Sequence, residues 1–333
     1  MRAWTRQLRS VPAAPWLPAR RLCSKLDAAA PSRPTTPASA SLSPQPSLAA
    51  GTWPVWLSKS AITVEDADAF NRWAMPPSMA LVHLSIGSVY TWSMWNAPLT
   101  HQLGVVAQAA GDWQLGDVLG VFSCTAVALG ATTFILGPWQ ERAGPRMVAA
   151  TAGTLYSAAF ALTALGAQQH SLGLMYAGYG VLGGVGWGLG YLSPVSTLMR
   201  WFPERKGLAA GLALTSFGLG AAVGAPLVNQ LLAYNFVAPT YLGRLSEVAT
   251  EVHGGVAYAQ HGGSLVEVVV ATASDLVRLP GSLQEGVYVV GTGDTGVAAS
   301  MLTLASLYWC TVMTGAMTVR VRVPGGLLAR PLA

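Results

Sequence analysis

The 333-residue sequence predicts an all-α membrane protein built as a bundle of six spanning helices, and three observations carry that prediction. The chain is 52% hydrophobic and only 10% charged, with a mean hydropathy of +0.44, whereas soluble domains carry roughly 25% charged residues. Six apolar runs, 79–101, 118–136, 147–166, 172–198, 207–232 and 298–319, contain no Asp, Glu, Lys or Arg, and each has about the 17–25 residues that a bilayer requires. Charge is also sorted between alternate connections. Segments 137–146, 199–206 and 320–333 hold eight bases against two acids, while 102–117 and 233–297 hold two bases against eight acids. Buried helices of a large soluble protein would need far more amphipathic polar sequence between them.

Taken in chain order, residues 1–26 come first. Arg2, Arg6, Arg9, Arg20, Arg21 and Lys25 all precede the first acid, Asp27. This is the composition of a mitochondrial or plastid transit peptide, with 20–24 as a cleavage neighbourhood; the competing reading is a disordered cytosolic tail. These six bases exceed the whole net charge of +5, so the basic balance belongs to the leader and no nucleic-acid partner is expected. Residues 27–73 read as a disordered linker, Pro/Ser/Ala-rich over 28–52, followed by a short surface helix at 64–73 with Glu65, Asp66 and Asp68 near its N-terminus. By the positive-inside rule, the basic connections face the cytoplasm, or the matrix or stroma of an organelle. The 233–297 connection is expected to be a flexible extramembrane insertion; the alternative is a small hairpin between Val266–Thr272 and Gly286–Gly291. Residues 323–333 form a tail. Cys23, Cys124 and Cys310 lie far apart in the sequence, a spacing that suggests packing roles and neither a disulfide framework nor a metal site; no cofactor is implied.

Several motifs point to chemistry. The connection between the second and third runs reads Gly-Pro-Trp-Gln-Glu-Arg-Ala-Gly-Pro-Arg, 137–146, where glycine and proline predict a tight turn. It resembles the signature loop Gly-x-x-x-Asp-Arg-x-Gly-x-Arg of the major facilitator superfamily at Gly137, Arg142, Gly144 and Arg146, with Glu141 in place of the usual Asp. The fourth run and its exit, Gly183 to Tyr191, Pro194 and Trp201 to Gly211, are similar to the oxalate/formate antiporter family and more loosely to its monocarboxylate carrier relatives, as is Ile86 to Leu99 in the first run. The resemblance covers roughly 74–232, with a weaker match over 298–322. It implies the six-helix N-terminal bundle of the major facilitator fold and a secondary, alternating-access carrier of small carboxylates such as oxalate, formate or a monocarboxylate, not an enzyme. It further implies an aromatic-lined cavity to which Tyr90 and Tyr191 contribute, Phe217 more weakly, and a conformational latch at Gly137, Glu141, Arg142, Gly144 and Arg146. The family attributes its substrate-neutralising bases to a second six-helix half, and no Arg or Lys occurs within these runs. The expected partners are therefore the lipid bilayer, a small anion, and either a separate second half or another copy of this chain. The alternative is a truncated, non-transporting half.

Helical spacing adds its own expectations. Gly180, Gly184 and Gly188 recur on one face, which suits close helix packing, and Gly207, Gly211, Gly218 and Gly220 are read in the same way. His83, Gly87, Tyr90 and Met94 share a face of the first run while Trp92 points away; Trp187, Gly188 and Tyr191 cluster in the fourth. His83 is ionisable and intramembrane, so it is either a ligand or proton relay, or a neutral histidine near the inside end bonded to backbone. Dinucleotide binding at the Gly-x-Gly-x-x-Gly matches 178–183 and 291–296 would need a preceding strand, a helix opening at the glycines and a downstream acid; the first match lies inside an apolar run and the second enters one, so neither is read as a dinucleotide site.

Overall fold

The computed structural model describes residues 63–64 and 70–322. The leader at 1–26, the linker at 28–52 and the tail at 323–333 lie outside the described residues. The six apolar runs form six helical bodies. Four are continuous helices: α3 (Leu115–Ala143), α4 (Pro145–Gln168), α7 (Lys206–Asn235) and α9 (Val297–Thr318). The first and fourth are segmented. The first consists of α1 (Met75–Gly87), a 3-10 turn at Ser88–Thr91 and α2 (Trp92–Thr100). The fourth consists of α5 (Leu172–Met175), a π-helical stretch at Tyr176–Gly183 and α6 (Gly184–Trp201). Such interruptions re-aim side chains without ending the helix, and they are common at functional sites.

Two local expectations are corrected. The Gly137–Pro138 pair makes no turn, because α3 continues through it to Ala143 and the reversal is made at Gly144 alone. Gly144 has φ 85 and ψ 162, a conformation essentially reserved for glycine, and Pro145 opens α4 at the first helical position, where its missing N–H is harmless. At 64–73 the described ends differ from a single surface helix: Thr63–Val64 form strand β1, while Arg72–Ala74 form a one-turn 3-10 helix capped by the Asn71 side chain. Residues 65–69 lie outside the description. A chain end held by a neighbouring strand has no reason to coil on itself, and β1 pairs in parallel with β7 (Val321–Arg322) beyond the sixth span.

Glycines set the interhelical distances. A Cβ on Gly184 would sit 2.5 Å from the Ala128 Cβ and 2.6 Å from the Thr125 carbonyl, while Gly180 and Gly188 meet Cys124 and Thr132, so the stripe lies against α3. Gly87 and Gly220 face each other where α1 crosses α7. The fifth-span expectation holds only at its far end. Gly207, Gly211 and Gly218 have nothing within 4 Å, because these positions rotate off the α1-facing side occupied by Ala213, Phe217 and Gly220.

The 233–297 insertion is folded, against the expectation of a flexible loop. It forms an antiparallel sheet of order β2-β6-β5-β4-β3 from β2 (Tyr241–Gly243), β3 (Thr250–His253), β4 (Val256–His261), β5 (Ser264–Ala271) and β6 (Gly286–Val289), with a short helix α8 (Ala273–Leu276). The β5–β6 pairing is the alternative hairpin, in antiparallel register from Val268–Val289 to Ala271–Gly286. Two His-Gly-Gly turns, with Gly254, Gly255, Gly262 and Gly263 all at positive φ, reverse the chain in the manner that tight hairpins require. One sheet face buries Ala259, Val268 and Val287. The other places Val269, Ala271 and Tyr288 on Val106 and Ala109 of the connection after the first span. That connection is shaped by Asp112, whose buried carboxylate accepts from the amides of Leu103, Gly104 and Ala109 at 2.7–3.1 Å.

Candidate functional site

The five side chains expected at a cavity converge, although they come from three different spans. Phe217 of α7 is the hub: its ring centroid lies 5.1 Å from Tyr191, 5.6 Å from Tyr90, 5.6 Å from His83 and 6.4 Å from Trp187. Tyr90 meets Trp187 edge to face at 5.9 Å, and His83 stacks on Tyr191 at 6.0 Å. These are the offset and T-shaped arrangements that aromatic quadrupoles favour. The 3-10 turn at Ser88–Thr91 places Tyr90 at the open edge, where it is 53% exposed, while Trp187 and Phe217 are buried and His83 is completely so. Trp92 points away, as helical spacing predicts, and packs on Tyr179 at 4.2 Å.

Polar capacity at the cluster is specific. The Trp187 indole N–H is buried with no hydrogen-bond partner among the described residues. An unpaired buried donor carries a desolvation cost of about 1–3 kcal/mol that an acceptor would remove. His83 is placed by backbone: Nδ1 lies 2.8 Å from the Ala213 carbonyl and Nε2 lies 3.0 Å from the Tyr191 carbonyl. It sits eight residues into α1, about two turns from the helix start. No sequence signal pointed to its partners, because they are main-chain atoms of other spans.

The residues expected to form a latch divide. Glu141 and Arg142 are exposed, whereas Gly144 and Arg146 are buried. Arg146 Nη2 donates to the carbonyls of Met317 at 2.8 Å and Val319 at 3.3 Å, so a cation caps the C-terminus of α9, where free carbonyls and the helix dipole favour it. On the same side, the Trp201 indole donates to the Arg320 carbonyl at 2.9 Å. Arg72 pairs with Glu204 and lies over the Phe202 ring at 5.2 Å. These ties join the segment before the first span to the connections after the fourth and sixth.

A cleft of about 800 Å³ lies at the other end of the bundle. It begins at Met94, one turn beyond Tyr90, follows Ala97, Pro98 and His101, is flanked by Asn229 and Leu232 of α7, and is roofed by Asp275 and Arg278 of the insertion. Sequence reasoning missed these roof residues because it expected no fold in that segment. The Gly291–Gly296 match, although it follows a strand and opens a helix, has Gly293 packed on the backbone of Val237 and Pro239, which fills the space a phosphate would need.

Apolar helices of spanning length around an aromatic cluster, with charge confined to their ends, define a multi-pass integral membrane protein. The chain belongs to the Major Facilitator Superfamily, whose family model matches residues 73–242. It is similar to the uncharacterized MFS-type transporter YhjX of Escherichia coli (strain K12), 34% identical over 150 residues that make up 45% of this chain and 35% of that one. It is also similar to apicoplast pyruvate carrier 1 of Toxoplasma gondii, 29% identical over 191 residues, 48% and 35% of the two chains. A third relative is the oxalate:formate antiporter of Oxalobacter formigenes, 27% identical over 173 residues, 52% and 38%. The chain spans little more than a third of the length of the curated relatives it matches.

Proposed function

We propose that this chain is the six-helix half of a secondary carrier and that a small carboxylate binds at the Tyr90–Trp187–Phe217 flank. The observation that carries the reading is the unpartnered Trp187 N–H beside the exposed Tyr90 ring. An indole N–H and a phenol O–H, carried on rings whose centroids lie 5.9 Å apart, would then serve one anion in a low-dielectric, aromatic setting, where hydrogen bonds to an anion are strong. Relatives named for pyruvate and for oxalate and formate support the substrate class. The open side of the cluster is the face that a second six-helix body, from a partner or another copy of this chain, would cover. Rocking of that body about the site would then give alternating access. Gly137, Glu141, Arg142, Gly144 and Arg146 act as the latch on the inside, with Arg146 as its buried cation. The arginine-rich composition of 1–26 supports delivery to a mitochondrion or plastid, and a fluorescent reporter fused to residues 1–52 tests this, since a diffuse cytosolic signal would reject it.

The test of the site is binding of labelled pyruvate and oxalate to the purified chain in nanodiscs. Trp187→Phe and Tyr90→Phe each keep the ring and remove one donor, and a lost bond to an anion of about 1.5–3 kcal/mol corresponds to a roughly 10- to 150-fold weaker Kd. Unchanged affinity in both variants would reject the site. Exchange in proteoliposomes that requires a second half would support the half-carrier over an autonomous one.

A further inference from the structure

His83 holds more acceptors than a neutral ring can serve. Its two nitrogens face the carbonyl oxygens of Ala213 in α7 and Tyr191 in α6, at 2.8 and 3.0 Å. A carbonyl only accepts, and a neutral imidazole has one N–H, so in either tautomer one carbonyl faces a nitrogen lone pair at hydrogen-bond distance. An imidazolium has two N–H groups and satisfies both. Ser216 does not resolve the mismatch: its hydroxyl lies 3.5 Å from Nδ1 but donates to Ala213 O at 2.8 Å.

The surroundings decide when the second proton can be held. From α6, Tyr191 stacks on the ring; from α7, Phe217 meets it edge to face. The other titratable groups on elements packed against α1 are engaged or placed elsewhere. Tyr156 of α4 bonds Ser88, Arg146 caps α9, the Tyr308 ring of α9 lies against Tyr156 and Phe160, and Cys310, Arg200 and Lys206 are exposed. No carboxylate occurs within the six apolar runs. A buried imidazolium therefore has carbonyl dipoles and aromatic faces to stabilise it but no counter-ion, and burial opposes the charge. An anion at the Tyr90–Trp187–Phe217 flank would supply that counter-ion, since Phe217 touches both His83 and the flank.

We propose that His83 is a proton-binding site coupled to the anion: the ring is neutral when the flank is empty and takes one proton from water when a carboxylate binds. This rests on the carboxylate reading above and adds the coupling ion. The loaded site then holds one carboxylate and one imidazolium, formally neutral together, which answers the lack of any Arg or Lys in the six apolar runs. Both carbonyls gain a donor in the same step, so the first, fourth and fifth spans are tied most firmly when proton and anion are both present.

The test is calorimetric titration of the purified full chain in nanodiscs with sodium pyruvate between pH 6 and pH 8, in two buffers of different ionisation enthalpy. The proposal expects uptake of about one proton per pyruvate on the alkaline side of the range, with affinity falling about tenfold per pH unit there. His83→Gln should abolish the uptake and flatten the pH dependence. A variant with His101, His170, His253 and His261 all replaced by Gln should keep both, and it decides the matter alone if His83→Gln fails to fold. Pyruvate binding without proton uptake, uptake that survives His83→Gln, or uptake lost in the four-histidine variant would overturn the proposal while leaving the carboxylate site standing. Failure of both pyruvate and oxalate to bind would overturn the carboxylate reading, and this inference with it.

Discussion

Gly184→Ala is a sharp test of the helix contact that frames the site. The added methyl would stand 2.5 Å from the Ala128 Cβ and 2.6 Å from the Thr125 carbonyl oxygen. Carbon–carbon contact needs about 3.5–4.0 Å, so α6 and α3 must separate by about 1 Å. The obstructing atoms are backbone and Cβ, and no flexible side chain can yield. Overpacking of this kind costs about 1–3 kcal/mol, set against about 1 kcal/mol gained from helix propensity. Gly211→Ala is the matched control: it is also in a helix but has nothing within 4 Å, so it keeps the propensity gain alone. The two variants should therefore differ by about 1–3 kcal/mol, a roughly 5- to 150-fold difference in the folding equilibrium. Reversible unfolding in mixed detergent–SDS micelles, followed by circular dichroism, measures it. Ala128→Gly removes the methyl obstruction but leaves the Thr125 carbonyl at 2.6 Å and itself costs about 1 kcal/mol of helix propensity, so in a double-mutant cycle it should be less destabilising in the Gly184→Ala background than in the unmodified chain. Equal stability of Gly184→Ala and Gly211→Ala would show that α3 and α6 do not approach this closely, and the reasoning from the glycine stripe would fail.

Other expectations follow from the ties at the Arg146 end of the bundle and from the insertion. Arg146→Met keeps the length of the side chain but removes one of the two guanidinium groups that donate to the Met317 and Val319 carbonyls, leaving Arg320 Nη1 at 3.3 and 3.1 Å. Loss of the Arg146 donor should cost about 1 kcal/mol and speed amide exchange at the end of α9; unchanged exchange there would refute its share of the capping. At the start of α8, the Thr272 hydroxyl donates to Asp275 at 2.6 Å and the Thr272 amide at 2.9 Å, and these bonds hold the Asp275 carboxyl below its usual range, with His101 adding a smaller effect. A lowered folded-state pKa stabilises above the ordinary carboxylate value and is lost as pH falls through the lowered one. Protection of the α8 amides should therefore be full at neutral pH and decline only in acid, and Asp275→Asn should remove this dependence. An acid-independent profile in the unmodified chain would contradict it.

Much of the site was legible because helical periodicity and bilayer physics are local. The segregation of His83, Tyr90 and Met94 from Trp92 follows from 100° per residue, and the Gly180–Gly184–Gly188 face follows from a four-residue repeat. Where the reading failed, a partner remote in sequence decided. Gly211 looked equivalent to Gly220, but only a known crossing partner distinguishes them, and that partner is Gly87. The insertion was the larger miss. Its Gly254–Gly255 and Gly262–Gly263 pairs are strong turn signals eight residues apart, and loop length alone was allowed to outweigh them.

The sequence by itself determined that this chain crosses a membrane and that it belongs to a carrier superfamily, because transfer of side chains into hydrocarbon depends on composition and run length and hardly on neighbours. Only the tertiary structure decided that Phe217 joins three spans into one aromatic cluster, that the Trp187 donor there has no partner among the described residues, and that His83 lies between two carbonyls. Hydrogen bonds and ring contacts act over a few ångströms, and which groups come that close depends on how the helices cross.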